Sequence, residues 1–210
     1  MKIGRVMAPA TWIVTPDKFL DGLQVAALRA ALEAERHRGD RYAVRNAAIV
    51  ETLLGTGLRV SELCSLVVAD LFLDTNNPNV LVRRGKGGKT RLVAISGALA
   101  CYLATFLEWT VLVEENRRPT SPVFQSERGG AMHRSAVHRV WKAVLKAARL
   151  PARYGVHATR HSYAVELYRR TRDLRLTQRL LGHSSPNTTQ VYASLLDDDV
   201  RRGVEAIWAA

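Results

Sequence analysis

Through most of the chain apolar positions fall at helical spacing, which predicts a mainly helical fold. Ala43, Ala47, Val50 and Leu54 lie on one face of a helix over 42–54, and Gly55-Thr56-Gly57 then supplies the backbone that ends helices. Thr15-Pro16-Asp17 reads as an N-cap followed by proline at the first helical position, predicting a helix over 16–36. A short helix from Val60 or Ser61 should carry Leu63 and Leu66 inward. Between 134 and 149, Val137, Val140, Trp141, Val144, Leu145 and Ala148 form an apolar stripe, with Arg139, Lys142, Lys146 and Arg149 on another face. Further helices are expected at 157–170, 173–181 and 186–196, with Gly182 closing the second and Ser185-Pro186 opening the third.

Only two runs have strand character. Val80-Leu81-Val82 and Arg91–Ile95 flank Gly85-Lys86-Gly87-Gly88-Lys89, a glycine-rich hairpin tip, and Pro122-Val123-Phe124 is a third short candidate. The fold class expected is therefore mainly α with a small antiparallel β-sheet. Residues 97–113 carry Glu108 as their one charge but fall short of the roughly 20 residues a bilayer span needs. They are read as a buried core helix, without membrane association.

Composition sharpens this picture at two points. Hydrophobic residues at 47% and charged residues at 24% fit one well-packed globular domain and argue against disorder. Lys and Arg total 31 against 19 Asp and Glu, a net charge of +12, which favours a polyanionic partner, nucleic acid above all. Cys64 and Cys101 sit in apolar stretches without a CxxC pair, so buried free thiols in a reducing cytosol are expected, and no secretory signal precedes them.

Four separated segments hold polar residues that call for chemistry. Arg59 follows a glycine turn and precedes a helix that contains Glu62. Arg84, Lys86, Lys89 and Arg91 surround the hairpin glycines, where a phosphate could approach the backbone; the Walker A spacing is absent. His157, Arg160, His161 and Ala164 share a helical face at i, i+3, i+4 and i+7, able to direct several donors at one anion. Zinc is disfavoured there, because the glutamate of HExxH is missing and Arg160 would repel a cation. His183 follows a helix end and Tyr192 rides on the next helix; alone, such a tyrosine is more often a packed side chain.

Taken in order, GTGLRVSEL (55–63), GKGGKTR (85–91), HATRHS (157–162) and LLGHSSPNTTQVY (180–192) resemble the tyrosine recombinase, or phage integrase, family in its Xer-like branch. The resemblance spans about residues 15–200. It implies the DNA breaking-rejoining fold of that family's catalytic domain, a cytoplasmic enzyme without cofactor or metal, and double-stranded DNA as partner. It casts Arg59, Lys86, His157, Arg160, His183 and Tyr192 as catalytic, Tyr192 being the nucleophile, with Glu62 supporting the site from behind and His161 and Ser61 as further supporting candidates. Arg84, Lys89, Arg91, Arg139, Lys142 and Lys146 are the expected DNA contacts. Thr159 stands where relatives often have an apolar residue, and is read as a packing change.

The expected organisation is a leader over 1–14 and a catalytic domain over 15–210, without the N-terminal DNA-binding domain of typical relatives. A tail helix bearing Val204, Ile207 and Trp208 would dock onto a neighbouring protomer in a homo-oligomer on DNA, a tetrameric synapse. Accessory proteins, the target site, and the choice among integration, excision, inversion and resolution stay open. Two other functions share the resemblance: a non-catalytic DNA-binding regulator and a type IB topoisomerase-like enzyme.

Overall fold

The computed structural model describes residues 18–182, apart from 38–39, 75, 84–89 and 114–117. Within them the chain forms α1 (Gly22–Arg36), α2 (Arg41–Thr56), α3 (Val60–Cys64), a 3-10 turn (Val68–Asp70), β1 (Leu71–Phe72), β2 (Asn79–Val82), β3 (Arg91–Ala94), α4 (Gly97–Leu112), α5 (Arg134–Ala147), α6 (His157–Thr171) and α7 (Leu174–Leu181).

α2 is the centre of the packing. It buries Ala43, Ala47, Val50 and Leu54 as the spacing predicts, and also Ala48, Ile49 and Leu53, because α1, α3, α4, α5 and α6 surround it. The principal core joins these residues to Leu28 and Leu32 of α1, Leu103 and Phe106 of α4, and Val137, Trp141, Val144 and Leu145 of α5. Trp141 is fully enclosed, and its indole N–H donates to the Tyr154 carbonyl at 2.8 Å, so a bulky polar ring is buried without an orphan donor. A second, smaller cluster of Phe19, Ala164, Val165 and Leu181 fastens α7 to α6.

The sheet is antiparallel in the order β1-β2-β3, with Val80 opposite Val93 and Val82 opposite Arg91. Val80, Val82 and Val93 face the core. β1 is an addition to the two predicted strands. Pro122-Val123-Phe124 makes no strand: isolated bridges at Val67–Pro122 and Gln125–Ala131 hold it while Val123 and Phe124 are buried.

Three expectations need correction. The first helix begins at Gly22 rather than 16. Asp21 is its N-cap, accepting from the Gln24 N–H at 2.8 Å while the Gln24 side chain accepts from the Asp21 N–H at 3.1 Å. The preceding Leu20 N–H is spent on the Ser162 hydroxyl at 2.8 Å, and Thr15-Pro16-Asp17 lies outside the described residues. Cys101 is exposed rather than buried, and Cys64 only partly buried. The reason is the same one that corrects the 97–113 run: α4 buries one face, through Leu99, Ala100, Leu103, Phe106 and Thr110, and leaves Cys101, Val111 and Leu112 to solvent. No described helix is long and apolar enough to cross a membrane.

Candidate active site

The site assembles where the end of α2, the start of α3, β3, α6 and the end of α7 meet. Gly57 closes α2 in the left-handed conformation, φ 62°, and sends the chain straight into Leu58 and Arg59. Any side chain at 57 would be excluded twice over: a Cβ would sit 2.6 Å from the Tyr163 ring and 3.0 Å from Leu181. α6 and α7 therefore lie directly against the turn that presents Arg59.

Arg59 is the residue just before α3. Its backbone N–H donates to Glu62 Oε2 at 2.8 Å and its guanidinium to Glu62 Oε1 at 2.9 Å. Glu62 is only 3% exposed and also receives Arg91 from the far side, Nη1 to Oε1 at 2.9 Å and Nη2 to Oε2 at 3.0 Å. Burial is the largest single influence on Glu62 and opposes its ionisation. The Arg91 hydrogen bonds, the Arg59 N–H and the two guanidinium charges together outweigh it, so its carboxyl titrates below the ordinary value. Both carboxylate oxygens are thus fully used in holding arginines.

On α6, Arg160 is buried, 6% exposed, and stretches between two helix ends. Nη1 donates to the Gly57 carbonyl at 2.7 Å and Nη2 to the Leu181 carbonyl at 2.6 Å. These are carbonyls at helix C-termini, which lack intrahelical partners and carry the negative end of the dipole, so a guanidinium satisfies both needs. His157 opens α6. It is exposed at the surface, yet desolvation there, then the charges of Arg160, His138 and Arg59, hold its pKa below the ordinary value. His161, one turn deeper, is pushed down to about 4 by burial and by His157, Arg160 and Lys18, so it is neutral near pH 7. The buried Thr159 hydroxyl donates to the Val156 carbonyl at 2.8 Å, so a polar residue is accommodated at this position without an unmet partner.

The predicted residues thus divide clearly. Arg59, Glu62, His157, Arg160 and His161 come together from segments about 100 residues apart in sequence, as in the Arg160–Gly57 bond. Arg139, Lys142 and Lys146 form an exposed face of α5, on the element that also bears His138. Ser61 is exposed. Arg84, Lys86, Lys89, His183, Tyr192 and the tail residues Val204, Ile207 and Trp208 lie outside the described residues, as does the helix expected at 186–196. Arg91 is placed differently from expectation. Its guanidinium points inward to Glu62 and to the end of α7, where Nε donates to the Leu180 carbonyl at 3.3 Å. Sequence reasoning had no signal for this, because its partners are 29 and 89 residues away. Two guanidinium groups and an imidazole gathered at adjoining helix ends suit one tetrahedral anion. Among the described residues no His, Cys, Asp and Glu cluster is arranged to hold a metal ion.

Residues 18–198 match the model of the phage integrase family. The chain belongs to that family. It is 38% identical over 175 residues to the tyrosine recombinase XerC of Mesorhizobium japonicum, covering 83% of this chain and 53% of that protein. The tyrosine recombinase XerD of Mycobacterium tuberculosis is 31% identical over 210 residues, all of this chain and 65% of that one. The phage integrase family member described here therefore spans about half the length of the XerC relative. Among solved structures, the XerA recombinase superposes with a TM-score of 0.73 at 26% identity, over 99% of this chain and 68% of that one. The XerH site-specific recombinase, bound to palindromic difH substrate in a post-cleavage complex, superposes at 0.77 over 93% of this chain and 54% of its own, with 24% identity. The architecture is that of the tyrosine recombinase catalytic domain, mainly helical with a small antiparallel sheet.

Proposed function

We propose that the chain is the catalytic part of a site-specific DNA recombinase that cuts and rejoins DNA through a 3′-phosphotyrosyl intermediate. The observation that carries this reading is that Arg160, on the helix that His157 opens, donates to the Gly57 carbonyl two residues before Arg59, while Glu62 holds Arg59. In it, the Tyr192 hydroxyl loses its proton and attacks a backbone phosphorus. A phosphorus–tyrosine bond forms as the bond to the 5′-oxygen breaks. Arg59 and Arg160 stabilise the charge that grows on the non-bridging oxygens, with guanidinium forks whose orientation is fixed in advance. Neutral His157 accepts the tyrosine proton or hydrogen-bonds the phosphate, and His183 adds a further donor. Lys86 delivers a proton to the departing 5′-oxygen. Phosphodiester energy is kept in the covalent bond, so a second 5′-hydroxyl can reverse the step without ATP.

The exposed basic face of α5, Arg139, Lys142 and Lys146, tracks the DNA phosphates, with Arg84 and Lys89 as further phosphate contacts. Exchange between two duplexes needs four cleavages, hence four protomers on DNA, with tail-to-neighbour docking joining them. Such an enzyme works in the cytoplasm, where its DNA is.

The test needs no known target site. The protein and its Tyr192→Phe variant are incubated with supercoiled plasmid at low salt, followed by assays for relaxation and for SDS-resistant protein–DNA complexes. Adducts formed by the unmodified protein and absent from the variant are the expected result. Equal behaviour of the two proteins on DNA that both bind, repeated on nicked substrates from the chain's own genomic flanks, would reduce the fold to a DNA-binding role.

A further inference from the structure

Arg91 sits at the first position of β3, directly after a basic hairpin, where its neighbours in sequence suggest a phosphate ligand. Its geometry is that of an internal tie. The side chain is 14% exposed, and three of its nitrogens are engaged by protein. Both Nη atoms form a two-pronged pair with the two oxygens of Glu62, at 2.9 and 3.0 Å. Nε donates at 3.3 Å to the Leu180 carbonyl in the last turn of α7. The chain immediately beyond that turn is laid on the guanidinium itself. Gly182 is left-handed, φ 64°, and a Cβ there would lie 3.0 Å from Arg91 Cδ and Nε and 3.1 Å from Cζ. One planar cation therefore fixes two distances at once. It holds Glu62, which in turn holds Arg59, and it holds the last turn of α7, the helix that ends at Leu181.

We propose that Arg91 is a positioning residue. Acting through Glu62 and the α7 terminus, it holds the spacing between Arg59 and the end of α7. Lysine cannot replace it, since a point charge cannot grip two carboxylate oxygens and a carbonyl in one plane. The proposal rests on the recombinase reading for its catalytic readout, but the tie itself is open to a separate measurement.

The experiment uses the whole chain with Arg91→Gln and Arg91→Lys. The DNA is a nicked duplex built on a position where the unmodified protein forms adducts. Cleavage at saturating DNA should slow on the order of 100-fold in Arg91→Gln, the scale of a misplaced reacting group, while DNA affinity and its salt dependence stay unchanged. A methylphosphonate at the scissile position removes the charge that Arg59 would neutralise. The Arg91→Gln deficit should therefore shrink on that substrate, which a merely structural defect would not produce. Arg91→Lys keeps the charge and the fold, and should recover only part of the rate. Hydrogen exchange should quicken at residues 174–182 in Arg91→Gln while α2 and α5 stay protected. Unchanged cleavage in Arg91→Gln, full activity in Arg91→Lys, or lower affinity with a salt slope reduced by about one would overturn the proposal, the last making Arg91 a phosphate ligand. If the unmodified protein forms no adducts, the recombinase reading fails instead. The exchange rates then decide the tie alone, and unchanged protection at 174–182 removes it.

Discussion

Replacing Glu62 by glutamine tests the arginine platform with almost no change of shape. The carboxylate accepts four hydrogen bonds, two on each oxygen, from Arg59 N, Arg59 Nη1, Arg91 Nη1 and Arg91 Nη2. An amide keeps one acceptor oxygen and turns an NH2 toward two of the same donors, whichever way it is flipped. Two charge-assisted bonds at about 1.5 kcal/mol each give about 3 kcal/mol. That lies at the lower edge of the roughly 3–5 kcal/mol found when one member of a buried pair is removed. For a chain of this size, about 2–4 °C per kcal/mol converts it to a fall in Tm of about 6–12 °C, read by circular dichroism at pH 7. Arg29→Gln is the control: it breaks a pair whose arginine is 56% exposed and should cost less than about 1 kcal/mol. The pH dependence has a defined sign. Glu62 titrates below its ordinary value of 4.5 in the folded chain, so the unfolded chain takes up the proton first. The gap between the two proteins is therefore constant above about pH 5 and closes as pH falls through the folded-state pKa. A Tm shift at pH 7 no larger than that of Arg29→Gln would refute the reasoning.

Three further outcomes are expected. Gly57→Ala combines a left-handed backbone with a Cβ 2.6 Å from the Tyr163 ring, and should cost about 2–4 kcal/mol in urea unfolding; a midpoint equal to the parent's would mean that α6 yields freely. Alanine at Arg139, Lys142 or Lys146 should weaken binding to any duplex, each lowering the slope of log affinity against log salt by about one; an unchanged slope in the triple variant removes α5 from the DNA face. His161 stays neutral down to about 4 when folded and protonates near its ordinary 6.5 when unfolded, so acidification between these values erodes stability. His161→Gln should flatten Tm against pH in that window, and an unaltered slope would contradict the assignment.

What the sequence disclosed and concealed has physical causes. α2 and α5 were legible because each meets the core on a stripe of large apolar residues at helical spacing. The start of α1 was misplaced because Asp21-x-x-Gln24 also has N-terminal character, and its reciprocal cap is where the described helix begins. α4 is apolar nearly all round, so nothing in its pattern separated buried Leu103 from exposed Cys101 and Leu112. β1, two residues long, cannot display an alternation. At the site, Arg59, His157 and Arg160 were recognisable from motif order, whereas the inward turn of Arg91 depends on folding Glu62 and Leu180 to its two sides.

The two carbonyls that grip Arg160 carry no formal charge. They fix the guanidinium's place, and Arg59 and Arg91 converge nearby on the one carboxylate of Glu62. Folding and anion binding are consequently linked equilibria. The native state concentrates positive charge that the unfolded chain disperses, and a phosphodiester arriving there relieves repulsion that folding created. On the recombinase reading, DNA is then expected to act on this domain by mass action as a stabilising ligand, drawing the chain toward its native state as binding proceeds.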